Sequence, residues 1–198
     1  MAKHATPPSN VMRRQHEKHH RRSTRLRGYD YSKPGAYYVT ICTLDKKCYF
    51  GKIQSGNIKL TPVGSIVKQY WFEIQNHFDK VKCKLDKFVV MPNHVHGILI
   101  LANTKNVGFQ YIEPLRRDVA SRQTNKYQRV IPRSIGSIIR CYKAAVTRWC
   151  NRMGYKYFHW QRGFYDHVIR DDRDLNRIRD YIINNPLKWH LDKCNPDY

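Results

Sequence analysis

Acidic residues are scarce in this chain. Fifteen Asp plus Glu stand against 37 Lys plus Arg, a formal net charge of +22 over 198 residues. A folded protein with that surplus implies a polyanionic partner, nucleic acid first and an acidic membrane surface second. Long apolar runs are also missing. No stretch approaches the roughly 18 consecutive apolar residues that span a bilayer. The basic N-terminus lacks the apolar segment of a secretory signal. A cytoplasmic protein without a membrane partner is therefore expected. The six cysteines (Cys42, Cys48, Cys83, Cys141, Cys150, Cys194) include no Cys-x-x-Cys pair. That excludes zinc-finger spacing and suits reduced, partly buried thiols better than a disulfide frame. No P-loop is present, so no nucleotide cofactor is expected.

What the chain does have is a folded body with a basic arm. Residues 1–28 hold Lys3, Arg13, Arg14, Lys18, Arg21, Arg22, Arg25 and Arg27 against Glu17 alone. So polar a stretch reads as a disordered arm that contacts phosphates. Residues 29–198 read as one domain, long enough to bury a core without staples. Ala36–Thr43 is aromatic and β-branched, a strand pattern. Cys48–Leu60 reads as a hairpin turning at Ser55-Gly56-Asn57. Thr61-Pro62 opens a helix. Val81–Met91 and His94–Leu101 are strands. A polar insert over 103–131 mixes Arg116, Arg117 and Arg129 with Tyr111 and Tyr127, a composition suited to gripping single strands. A helix follows from Ser134 to about Met153, then a strand at Phe164–Ile169 and a helix over Asp172–Asn184. The order β-α-β-β-α-β plus a C-terminal helix predicts an α+β, ferredoxin-like (split βαβ) sheet.

The most specific chemistry lies in Met91-Pro-Asn-His-Val-His-Gly97. Side chains at i and i+2 of a strand share a face. His94 and His96 then stand side by side at a strand mouth, where two imidazoles can hold one divalent ion. Two satisfied histidines on a half-buried strand are the plainer alternative.

In the helix after Ser134, Ile135, Ile138, Ile139, Tyr142, Val146, Trp149 and Met153 share one face. Tyr142 is by periodicity most simply a core residue. A catalytic role requires that face to pack over the sheet surface bearing the histidines.

Four blocks, in this order and spacing, resemble the single-tyrosine HUH transposases of the IS200 type, most of all the REP-associated tyrosine transposases. They are the His94-Val-His96 stretch, Ser137–Thr147, Trp160–Arg170, and Tyr181-Ile-Ile-Asn-Asn-Pro-Leu-Lys-Trp189. The resemblance covers residues 29–192. It implies cleavage and joining of single-stranded DNA at hairpin sites through a 5′-phosphotyrosine, with Mg2+ or Mn2+ as the ion. It assigns His94 and His96 as ligands and Tyr142 as nucleophile. In relatives a polar residue one turn beyond the tyrosine completes the metal site. Here Val146 stands there and cannot ligate, which moves the expectation to His167. Tyr165, on the same strand face, is the rival nucleophile. Arg140 and Lys143, with Arg116, Arg117 and Arg129, are the expected DNA contacts. Tyr181 reads as a core aromatic and Asn184-Asn185-Pro186 as a helix stop. Monomer and homodimer both fit, and a domesticated, non-catalytic hairpin binder is the alternative function.

Overall fold

The computed structural model describes residues 29–77, 83–102 and 134–196. Six strands and three α-helices follow one another in it: β1 (Gly35–Cys42), β2 (Gly51–Gln54), β3 (Asn57–Leu60), α1 (Pro62–His77), β4 (Cys83–Val90), β5 (His94–Leu101), α2 (Ile135–Arg152), β6 (Tyr165–Ile169) and α3 (Asp172–Asn184). The basic arm and the insert with Arg116, Arg117 and Arg129 lie outside the described residues.

The main sheet runs β4-β5-β1-β6, and every neighbouring pair is antiparallel. β1 and β4 flank β5, so the connection between them that contains α1 steps over one strand. That is the expected split βαβ arrangement. The β2–β3 hairpin forms a small sheet of its own.

Local chemistry sets the helix ends. The Thr61 hydroxyl accepts from Gly64 N–H at 3.1 Å ahead of Pro62. Ser134 Oγ accepts from Ser137 N–H at 3.3 Å, and Gly154 ends α2 at φ +85°. Asp171 caps α3 by accepting from Asp174 N–H at 2.8 Å. Asp172 and Asp174 in its first turn complement the helix dipole.

Both sheet faces are covered, which explains why β1 and β5 are apolar almost throughout. Tyr37, Val39, Ile41, Val95 and Leu99 share a core with Val67 and Trp71 of α1 and Ile138, Tyr142 and Val146 of α2. The opposite face carries Tyr38, Ile98 and Ile169, packed under Ile178 and Ile182 of α3. Side-chain links pin α3 at both sheet edges. Arg179 forks onto Asp86 of β4, with Nε at 3.1 Å from Oδ2, and Asp174 Oδ2 accepts from His167 Nε2 of β6 at 2.7 Å. No helix among the described residues is long and apolar enough to cross a membrane.

One position tests the tightness of the first core. A methyl on Gly97 would overlap the Trp71 indole, which is itself stacked on Phe88 at 4.6 Å. Gly97→Ala is expected to destabilise the fold by about 1–3 kcal/mol, read as a lower urea midpoint.

Candidate active site

β5 begins at His94, and its period of two turns His94 and His96 toward α3, with Val95 and Leu99 facing the α1–α2 core. Both imidazoles are buried, and their Nε2 atoms are 2.9 Å apart. The hydrogen bonds behind them hold both rings in place and set the His94 tautomer. Asn93 Nδ2 donates to the Lys46 carbonyl at 2.7 Å and the Cys194 carbonyl at 2.6 Å. The Asn93 amide oxygen is therefore turned to His94, where it accepts from Nδ1–H at 2.8 Å. His94 Nε2 is left with its lone pair. His96 Nδ1 lies 2.7 Å from the Tyr38 hydroxyl and 2.9 Å from Thr40 Oγ1. Thr40 in turn donates to Tyr38 at 3.1 Å. In the tautomer whose Nδ1–H donates into that pair, His96 Nε2 also presents a lone pair. Burial drives both imidazoles toward the neutral form, His94 down to about 4 and His96 well below its ordinary value.

Tyr142 is not in this site. It projects from α2 into the core on the far side of the sheet and is 3% exposed. Its hydroxyl donates to the Val67 carbonyl at 3.0 Å, and its ring meets Trp71 edge-on at 5.6 Å. Burial pushes its hydroxyl well above the usual phenol range. The apolar stripe of α2 does pack on the sheet, but on the face opposite the histidines. Tyr142→Phe is expected to cost about 1 kcal/mol of stability through the lost hydrogen bond, measured by urea unfolding, and to leave any chemistry at the histidines intact.

The tyrosine beside the histidines is Tyr181 of α3. Its ring lies 5.3 Å from His96 and 6.2 Å from Tyr38, and the residue is 47% exposed. Partial burial and the Asp192 carboxylate raise its pKa, against the opposing influence of Asn185 and Tyr38. Asn185 follows one turn later, so it falls on the same side of the helix. It is buried, with an Oδ1 that has no hydrogen-bond partner.

The other expected site residues separate. His167 lies on the α3 side of the sheet, and its Nε2 is engaged by Asp174. It acts as an anchor for the helix that carries Tyr181. Tyr165 is exposed, 6.3 Å from Tyr38. Lys143 reaches from α2 to the carbonyls of Gln161 and Gly163 at 2.6 and 2.9 Å, with Trp160 beneath it. That arrangement fastens the loop leading to β6. Arg140 is exposed on α2, the helix on the far side of the sheet from the histidines.

The chain is 40% identical over 179 residues to an uncharacterized protein of Haemophilus influenzae, covering 90% of this chain and 95% of that one. A second protein of that organism, named "Putative REP-associated tyrosine transposase", is 26% identical over 168 residues, covering 80% of this chain and 74% of its own length. Among solved structures, a REP-associated tyrosine transposase bound to a REP hairpin matches with a TM-score of 0.54 at 21% identity, over 85% of this chain and 76% of that one. That likeness shows the fold. The chain is thus similar in sequence to a putative REP-associated tyrosine transposase and in fold to a solved one. No family model matches it.

The residues gathered at the histidine pair fit a divalent cation. The two buried Nε2 atoms lie 2.9 Å apart, a contact that one ring's N–H bridges when no cation is bound and that a bound cation can replace. The Asp192 carboxylate is 3.7 Å from His94 Nε2. The unpartnered Oδ1 of Asn185 is a further acceptor beside Tyr181. The donor set is acceptor-rich, and each imidazole is held from behind, as metal-ligating histidines usually are. His167 has no part in it.

Sequence reasoning passed over Tyr181, Asn185 and Asp192. A signal for the first two was present: a tyrosine followed four residues later by an amide, the same pattern that fails at Tyr142 and Val146.

Proposed function

We propose that this protein is a transposase that cleaves and rejoins single-stranded DNA at hairpin-bearing sites, with Tyr181 as nucleophile. The observation that carries this reading is the half-exposed Tyr181 ring against His96, on the sheet face where the two Nε2 atoms converge. The Tyr181 oxygen attacks phosphorus in line. An oxygen–phosphorus bond to tyrosine forms and the bond to the 3′-oxygen breaks. The phenol proton is lost to solvent, and the departing oxygen takes one up to become a 3′-OH. A second 3′-OH reverses the step and completes the transfer, so the energy of the phosphodiester bond is kept throughout.

His94 and His96 would hold the cation, Mg2+ or Mn2+ in the simplest case, with Asn185 as the side chain placed to replace the ligand missing at Val146. When bound, the ion polarises the phosphoryl oxygens and neutralises charge developed during attack. Asn93 keeps His94 in the ligating tautomer. Tyr38 meets the Tyr181 ring edge-on at 6.2 Å and helps to orient it. His167–Asp174 and Arg179–Asp86 hold α3 in register over the histidines.

The basic surface supports a DNA partner, and the solved neighbour's REP hairpin suggests the kind of site. Affinity for hairpin DNA is expected to fall linearly with log salt, by about 0.7 of a log unit per single-strand phosphate contacted, measured by anisotropy between low and physiological salt.

The reading is tested by incubating full-length protein with labelled single-stranded hairpin DNA and Mg2+ or Mn2+. A denaturant-resistant adduct supports it. Hairpin binding without an adduct under either ion favours a non-catalytic binder. Cleavage without an adduct favours direct hydrolysis.

A further inference from the structure

We propose that the segment Asp192–Cys194 supplies a carboxylate and a thiolate to the cation on His94, making the site one of mixed nitrogen, oxygen and sulfur donors that prefers a thiophilic ion such as Zn2+ over Mg2+. This rests on His94 as a metal ligand in the proposed function and adds ligands that reading does not contain.

The geometry is specific. One ligand atom from each of His94, Asp192 and Cys194 lies within 4.8 Å of the other two. The Asp192 carboxylate is divided between two tasks. Its Oδ1 accepts from Cys194 N–H at 2.7 Å, and its Oδ2 is turned to His94 Nε2 at 3.7 Å. The first bond folds residues 192–194 into a tight turn that brings carboxylate and sulfur to one side.

That turn is built onto the histidine strand. Asn93 gives one amide hydrogen to the Cys194 carbonyl at 2.6 Å, and Lys46 Nζ donates to the Lys193 carbonyl at 2.6 Å. Asn93 thus fixes the His94 tautomer and the position of Cys194 with one side chain. Cys42 stands opposite His94 in the β1–β5 register, and its thiol interacts with that of Cys194.

The donor chemistry decides the ion class. Mg2+ favours oxygen ligands and octahedral geometry. A thiolate with imidazole and carboxylate suits Zn2+ or Co2+. Binding deprotonates the Cys194 thiol and releases one proton to solvent.

The test is a Co2+ titration of reduced, full-length protein, followed by near-ultraviolet absorption. A thiolate-to-cobalt charge-transfer band is expected. It should vanish in Cys194→Ser and in His94→Ala, persist in Cys42→Ser, and be displaced by Zn2+. Zn2+ affinity, from competition with a chelating dye, should fall at least about tenfold in Cys194→Ser and Asp192→Asn, with Mg2+ affinity little changed in Cys194→Ser. Circular dichroism confirms that each variant is folded. Histidines of residues 1–28 give no sulfur band, so they do not confuse the readout. Cobalt bound without a sulfur band, or a band that survives Cys194→Ser or is lost with Cys42→Ser alone, overturns the proposal. A sulfur band without a DNA adduct leaves this inference standing and sinks the strand-transfer reading; an adduct without the band does the reverse.

Discussion

Tyr181→Phe is expected to abolish the covalent DNA adduct, lowering strand cleavage by at least about a thousandfold, as loss of a nucleophile does in other covalent enzymes. The fold should survive the change. Tyr181 is half-exposed, and its neighbours Ile178 and Ile182 carry the packing of α3. Hairpin binding should also survive, because the basic surface that attracts DNA is untouched. The comparison with Tyr142→Phe is the informative one. Both substitutions remove one phenolic oxygen, one from a site open to DNA and one from the core across the sheet. Loss of adduct with Tyr142→Phe, at unchanged stability, would contradict the assignment.

His96→Ala carries the second large effect. It deletes one of the two convergent Nε2 atoms and the group that stacks on Tyr38 and faces Tyr181. Cleavage should drop by about two to three orders of magnitude, the several kcal/mol that a bound cation contributes to phosphoryl transfer. Retained hairpin binding would separate this loss from a binding defect. Single-turnover cleavage with Mg2+ or Mn2+, beside an anisotropy titration, makes the distinction. Unchanged cleavage in His96→Ala would remove the histidine pair from the chemistry.

The two residues of the pair were legible in the sequence for a simple reason. The strand period of two depends only on the chain's own backbone, so His94 and His96 had to share a face once His94–Leu101 was a strand. The element order and the caps at Thr61, Ser134 and Asp171 are local too, and the ferredoxin-like sheet follows from them. Which face of the sheet each helix covers is a different kind of fact. The periodicity of α2 says that Tyr142 is buried, and it is; it does not say under which surface. The histidines face α3, and α2 lies behind them.

Tyr181 was misjudged for the complementary reason. It lies between Ile178 and Ile182 in sequence, so it reads as part of an apolar stripe. In space it sits at the edge of that stripe, with its ring against His96 and close to half of it in solvent. His167 shows a similar limit. Its strand phase puts it on the α3 side, but its partner Asp174 comes from the first turn of α3, and strand periodicity contains no information about that turn. Asp192 and Cys194 lie in an irregular segment with no period at all. Only the hydrogen bonds from Asn93 and Lys46 reveal that it belongs to the site.

The claim that most needs testing is the identity of the nucleophile. The covalent adduct would be trapped on single-stranded hairpin DNA, digested with nuclease and protease, and the phosphotyrosyl peptide sequenced by mass spectrometry. The account predicts the modification on Tyr181. A modification on Tyr142 or Tyr165 would contradict it.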